Sequence, residues 1–156
     1  MRNGIRGFAL RGAIVAVLAA LLGALFVQPA NAAVYTRGYG CAGTQVRRCL
    51  WFNHDSTYNR LRAYAWVADV DGGRNYNVAV SRVHLQVWTS SGWRVVSNST
   101  GTDYDGWHAV RDDAHGPLVS CANGYRFTVR SVAYFQWQGD PSFSGWLAGP
   151  AATFTC

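Results

Sequence analysis

The stretch YRFTVRSVAYFQW, residues 125–137, decides the fold class. Its odd positions Tyr125, Phe127, Val129, Ala133, Phe135 and Trp137 are apolar or aromatic, and its even positions include Arg126, Thr128, Arg130 and Gln136. A period of two sends alternate side chains to opposite faces of an extended strand, so one face is core and the other is wet. A helical segment would repeat near 3.6 and mix the two sets.

Turn chemistry brackets this strand. Asn123-Gly124 precedes it, and Asp140-Pro141-Ser142 leads to a last strand expected over Trp146–Cys156. Upstream, Tyr76–Trp88 reads as a second long strand whose parity changes: Val78 and Val80 share one face, and Val83, Leu85 and Val87 share the other. One extra residue flips every later side chain, so a bulge or break is expected near Ser81. Ser90-Ser91-Gly92 closes a hairpin onto Trp93–Ser97, with the glycine suited to a left-handed last position. Before these come an edge strand over 34–40, a short apolar run at Leu50-Trp51-Phe52, and Leu61–Val70. The last is rich enough in Ala and aromatics to be covered on both faces. Asp71-Gly72-Gly73-Arg74-Asn75 turns the chain. No stretch keeps helical spacing for three turns. The class is all-β, and the architecture expected is a small antiparallel β-sandwich, Ig-like or jelly-roll-like.

The first 32 residues read as a secretory signal: Arg2, Arg6 and Arg11, an apolar run over Ala13–Val27, and Ala30-Asn31-Ala32 at the cleavage point. The run is short for a membrane span. The expected organisation is therefore a leader over 1–32 and a single released extracellular domain over 33–156. That domain is long enough to bury roughly two thirds of its unfolded surface. All four cysteines, Cys41, Cys49, Cys121 and Cys156, lie in it and read as two disulfides. Of three possible pairings, Cys41–Cys49 and Cys121–Cys156 join positions that the strands bring close. If Cys121 and Cys156 lay in hairpins on opposite edges of the 125–137 strand they would be ~9–10 Å apart. A bridge spans at most ~7 Å, so Cys121 is expected in a loop over the sheet end.

Every basic residue is Arg and every acidic one is Asp. Three of the 14 arginines fall in the leader, so the domain carries 11 against 8 aspartates, a net of +3. That mild excess argues against a nucleic-acid partner. Arg without Lys, amid abundant Ala and Gly, resembles the usage of small exported proteins of filamentous Gram-positive bacteria.

No catalytic signature stands out. The densest polar cluster is Asp103-Tyr104-Asp105-Gly106-Trp107-His108, followed by Asp112, Asp113 and His115. It reads either as a polar crossover between sheets or as a metal or acid–base loop. Asp69-Val70-Asp71-Gly72 echoes its Asp-x-Asp-Gly, which makes Asp69/Asp71 and Asp103/Asp105 alternative candidate Ca²⁺ sites, although no Glu closes an EF-hand loop. A small hydrolase using Asp and His from this segment is one alternative function. Another is a serine-protease inhibitor presenting Arg47 or Arg48 from a Cys41–Cys49 loop. Arg62, Arg126 and Arg130 are candidates for a basic stripe with Tyr64 and Tyr134.

Seven Trp and eight Tyr are a heavy load for such a domain, and most belong in the core. Trp88 and Trp93 flank a hairpin tip, Trp107 lies in the polar segment, and Trp146 follows Ser144-Gly145. The leading expectation is a non-enzymatic recognition domain for a polysaccharide or cell-envelope surface. Trp88, Trp93 and Trp107 would provide the stacking faces, with Asp103, Asp105 and His108 as polar partners.

Overall fold

A computed structural model of the chain describes residues 33–156 apart from 74, 97–99 and 104. The expected leader over 1–32 lies outside the described residues. Two antiparallel sheets make up the domain. In the first, β1 (Val34–Ala42) pairs with β2 (Val46–Asp55) and β2 with β3 (Arg60–Asp69); the far edge of β3 takes β7 (Arg111–His115) and β8 (Val119–Ser120). In the second, β9 (Arg126–Gln138) and β4 (Asn77–Thr89) form the centre. β10 (Phe143–Ala148) and β11 (Ala152–Thr155) line the outer edge of β9, while β5 (Gly92–Val95) and β6 (Gly101–Thr102) line the outer edge of β4. The all-β sandwich expected from the alternation is what forms.

The core lies between the two inner faces. Phe52, Leu61, Ala63, Ala65 and Val67 come from the first sheet, and Val78, Val80, Val83, Leu85, Val129, Ala133 and Phe135 from the second. Each large side chain removed from water contributes about 1.5–3 kcal/mol. The pairing of β4 with β9 shifts register between Val80 and Arg82, so the extra residue is Ser81, where the parity change placed it. A second irregularity lies in β1 between Arg37 and Gly40, opposite Trp51. A bulge interrupts the ladder locally. The fully buried Ser131 of β9 donates its hydroxyl across the core to the Trp51 carbonyl. The bond gives the buried hydroxyl an acceptor and ties the two sheets together.

Four expectations need correction. The outer face of β3 is not covered by a second layer; Tyr64 and Trp66 stay half-exposed, shielded by Trp51 stacked 5.3 Å from Tyr64 and by the Arg111 guanidinium 4.8 Å from the Trp66 ring. The apolar run at 50–52 is part of a ten-residue strand. The last strand is two, because Gly149-Pro150 interrupts it: the Gly149 N–H turns to the Ser131 carbonyl, and proline has no N–H to donate. Finally, β5 is Gly92–Val95: Val96 already lies outside the strand, and the expected end at Ser97 falls outside the described residues.

Both disulfides pair as expected. Cys41 and Cys49 sit directly opposite each other on β1 and β2. Cys121 follows β8, which belongs to the first sheet, and Cys156 follows β11 of the second. With Cα atoms 6.1 Å apart, their bridge staples one sheet to the other. The spacing problem disappears because β4, not the segment before β9, occupies the inner edge of β9. Cross-linking residues 35 apart removes roughly 3.8 kcal/mol of chain entropy from the unfolded state, against ~2.6 for the eight-residue separation. Cys121→Ala/Cys156→Ala should therefore lower the unfolding free energy in urea by about 3–4 kcal/mol, and Cys41→Ala/Cys49→Ala by about 2–3. A loss below about 1 kcal/mol for the first pair would show that the sheets hold together without the staple.

Candidate functional site

The Ser81 bulge organises the polar segment. Gly101 and Thr102 pair with Val83 and Arg82, the Asp103 N–H donates to the Ser81 carbonyl, and His108 exchanges both backbone bonds with Val78. Asp103 and residues 105–108 therefore arch over the edge of β4, and the chain then crosses to the first sheet as β7. The crossover expected from sequence is real. Within the arch, Asp103 Oδ1 accepts the Asp105 N–H, an Asx turn, and Gly106 takes a φ of +100°, which glycine adopts without strain. From β7, Asp112 points inward and its Oδ2 accepts the Val80 N–H at 2.6 Å.

His108 stands between two carboxylates. Its Nε2 lies 3.2 Å from Asp105 Oδ1 and 3.7 Å from Asp112 Oδ1. Asp105 is exposed, whereas the Asp112 side chain is only 3% exposed. The Asp105 carboxylate beside it holds the His108 pKa above the usual imidazole value, and His108 in turn lowers that of Asp105. Burial pushes the Asp112 carboxyl upward. Beside this trio a hollow of about 240 Å³ opens between Trp107, Asp103, Asp105, Ser81, Ala79 and Gln136.

The other expected residues lie on the outer face of the second sheet. Its register sets Arg82, Tyr134 and Trp146 in one row, His84, Val132 and Ala148 in the next, and Gln86 with Arg130 in a third. Trp88 and Trp93 come after these as a directly opposed cross-strand pair, edge to face at 5.3 Å. The Arg130 guanidinium sits 4.1 Å from the Trp93 ring centroid, while its Nε donates to Gln86 Oε1. Trp146 packs edge-on against Tyr134 at 5.4 Å and over His84 at 4.9 Å. Trp88 and Trp93 are thus brought together. Trp107 is not beside them: it flanks Ala79–Ser81, at least seven residues away along β4, or about 23 Å at ~3.3 Å per residue. His84 does face outward as a strand residue, but Trp146 buries it.

Sequence reasoning missed the partnership of Trp146, Tyr134, Arg130 and Gln86 with the tryptophan pair. The even parity of β9 was visible; the pairing of β10 with it was not. It also missed a ring ladder on the outer face of the first sheet, Tyr39–Trp51–Tyr64–His115, with centroid spacings of 6.1, 5.3 and 5.9 Å. The basic stripe does not exist, since Arg62 is on the first sheet and Arg126 and Arg130 are on the second. Asp69 and Asp71 shape the turn: both oxygens of Asp69 accept, from the Asp71 and Tyr76 N–H groups, and Asp71 Oδ1 accepts from Gly73. Arg47 and Arg48 are paired with Ala68 and Val67 inside the ladder, and Arg48 lies 5.5 Å over Trp137, so neither stands in a free extended loop.

Fold and site define a small antiparallel β-sandwich, stapled by two disulfides that fit an extracellular setting, with an aromatic outer face and a separate Asp–His–Asp cluster. No protein-family model matches the chain, and no curated protein matches it by sequence.

Two buried imidazoles give the domain an acid-sensitive element. Burial lowers the pKa of His84, and burial followed by the nearby Arg37 lowers that of His54. A depressed histidine stabilises the fold above its unfolded pKa of about 6.5, and that stability is lost as pH falls toward the folded value. His108, shifted upward, works in the opposite sense. The urea midpoint should fall from pH 7.5 to pH 5, and His84→Leu should reduce that fall. An identical pH slope in the variant would show that His84 takes no part.

Proposed function

We propose that the domain is a non-enzymatic extracellular recognition module that binds a polysaccharide or cell-envelope surface through the outer face of β4, β9 and β10. The observation that supports this most is the pattern of rings on that face. Trp88 and Trp146 are 55% and 44% exposed, and hydrogen-bonding side chains lie between and beside them. Large exposed rings are ordinarily withdrawn from water, so a patch of them marks a contact surface. Polysaccharides alternate apolar C–H faces with hydroxyls, and this surface alternates in the same way. Gln86 and Arg130 are braced against each other, and Tyr134 shares a hydrogen bond with Ser144. Such pre-set side chains lose less freedom on binding. Trp107, with Asp103, Asp105 and His108, adds a distal end to the platform where the hollow opens beside Ala79 and Gln136.

Retention on insoluble chitin, cellulose and purified cell wall tests the reading. At least one should hold the protein, and Trp88→Ala or Trp146→Ala should weaken retention tenfold or more, equivalent to about 1.4 kcal/mol. Tyr39→Ala, on the opposite sheet, should leave it unchanged. Retention on none of the three, or indifference to both tryptophan variants, would overturn the proposal.

A further inference from the structure

We infer that Asp105, His108 and Asp112 form a binding site for a divalent transition metal of the Zn²⁺ class, with an open coordination position facing the hollow beside Trp107. One ligand atom from each residue lies within 4.8 Å of the others. Zinc holds imidazole nitrogen and carboxylate oxygen at ~2.0–2.2 Å, so neighbouring donors on one ion stand ~3–3.5 Å apart. The 3.2 Å separation from His108 Nε2 already meets this and the 3.7 Å one nearly does, while the two carboxylates, with ligand atoms within 4.8 Å, close in on the ion.

Two further features separate the trio from an ordinary surface ion pair. Asp112 is 5% exposed; its Oδ2 accepts the Val80 N–H, and its Oδ1 lies 3.7 Å from the imidazole Nε2. A carboxylate taken this far from water needs compensating partners, because its desolvation is costly. His108 Nε2 is likewise closed off from solvent and lacks a hydrogen bond of acceptable geometry, despite two carboxylates beside it. A cation at the centre would satisfy His108 Nε2 and bring both carboxylates onto one partner.

The site is also preorganised. The Val80 N–H at the bulge fixes Asp112, paired backbone bonds to Val78 fix His108, and the Asx turn from Asp103 orders Asp105. Outer hydrogen bonds of this sort orient metal ligands. One nitrogen and two oxygens suit Zn²⁺ better than Ca²⁺, which takes six to eight oxygens. Three protein ligands leave at least one position for a hydroxyl, carboxylate or water from the hollow. None of the three residues belongs to the Trp88–Trp146 end of the outer face, so this site stands independently of carbohydrate retention by that end.

The test is calorimetric titration of the oxidised, chelator-treated domain with ZnCl₂, alongside visible absorption on adding Co²⁺. One equivalent should bind, with Co²⁺ absorption of a low-symmetry nitrogen–oxygen site. Asp105→Asn, an exposed change that leaves the core untouched, and His108→Gln should each weaken binding at least tenfold. Asp112→Asn should do the same while keeping an oxygen for Val80, with near-ultraviolet circular dichroism confirming the fold. His115→Ala should bind like the parent. Absence of binding, binding that survives Asp105→Asn and His108→Gln, or binding abolished by His115→Ala would each refute the site and leave an ion pair.

Discussion

One extra residue in β4 governs the arrangement of the second sheet. Because side chains alternate along a strand, inserting Ser81 opposite no partner turns Arg82, His84, Gln86 and Trp88 outward and Val83, Leu85 and Val87 inward. Without it, three charged or polar side chains and an indole would face Phe52 and Val67. The same irregularity releases the Val80 N–H from the ordinary ladder, and Asp112 accepts it from the other sheet. A bulge, a cross-sheet hydrogen bond and the path of residues 101–115 are therefore one structural event.

The two disulfides hold the domain at complementary places. Cys41–Cys49 joins neighbouring strands whose register is already set by pairing, so it reinforces a local arrangement. Cys121–Cys156 joins the sheets at an end where the contributing strands are only two and four residues long. Small sandwiches have limited apolar area to hold their layers together. The staple, the Ser131–Trp51 bond and the Asp112–Val80 bond supply three cross-sheet ties at different depths.

The outer faces show how aromatic residues can be partly sheltered without a covering layer. Rings on neighbouring strands lean on one another, as in Trp51 on Tyr64 and Trp88 against Trp93, or lie under an arginine, as with Trp93 under Arg130 and Trp66 under Arg111. Each contact is modest, on the order of 0.5–1.5 kcal/mol. Together they fix ring orientations on a flat sheet, the property a stacking surface requires. On the second sheet the rings are interleaved with hydrogen-bonding groups; on the first they form one continuous ladder.

The sequence alone determined the strand class, the bulge, the hairpin tip and the number of disulfides, because each is encoded in local parity, turn residues or an even cysteine count; which cysteines pair was an expectation that the strand neighbours decided. It could not determine which strands become neighbours. The alternation of residues 126–138 states that Arg130 and Tyr134 face outward, but only the pairing with β4 and β10 sets them beside Gln86, Trp93 and Trp146. The metal-ligand trio shows the same division. Asp105 and His108 are close in the chain, whereas the burial of Asp112 and the direction of its carboxylate follow from β7 pairing with β3 while the bulged β4 offers the Val80 N–H. Contacts between sequence-distant strands depend on the whole sandwich closing, and no local pattern records that.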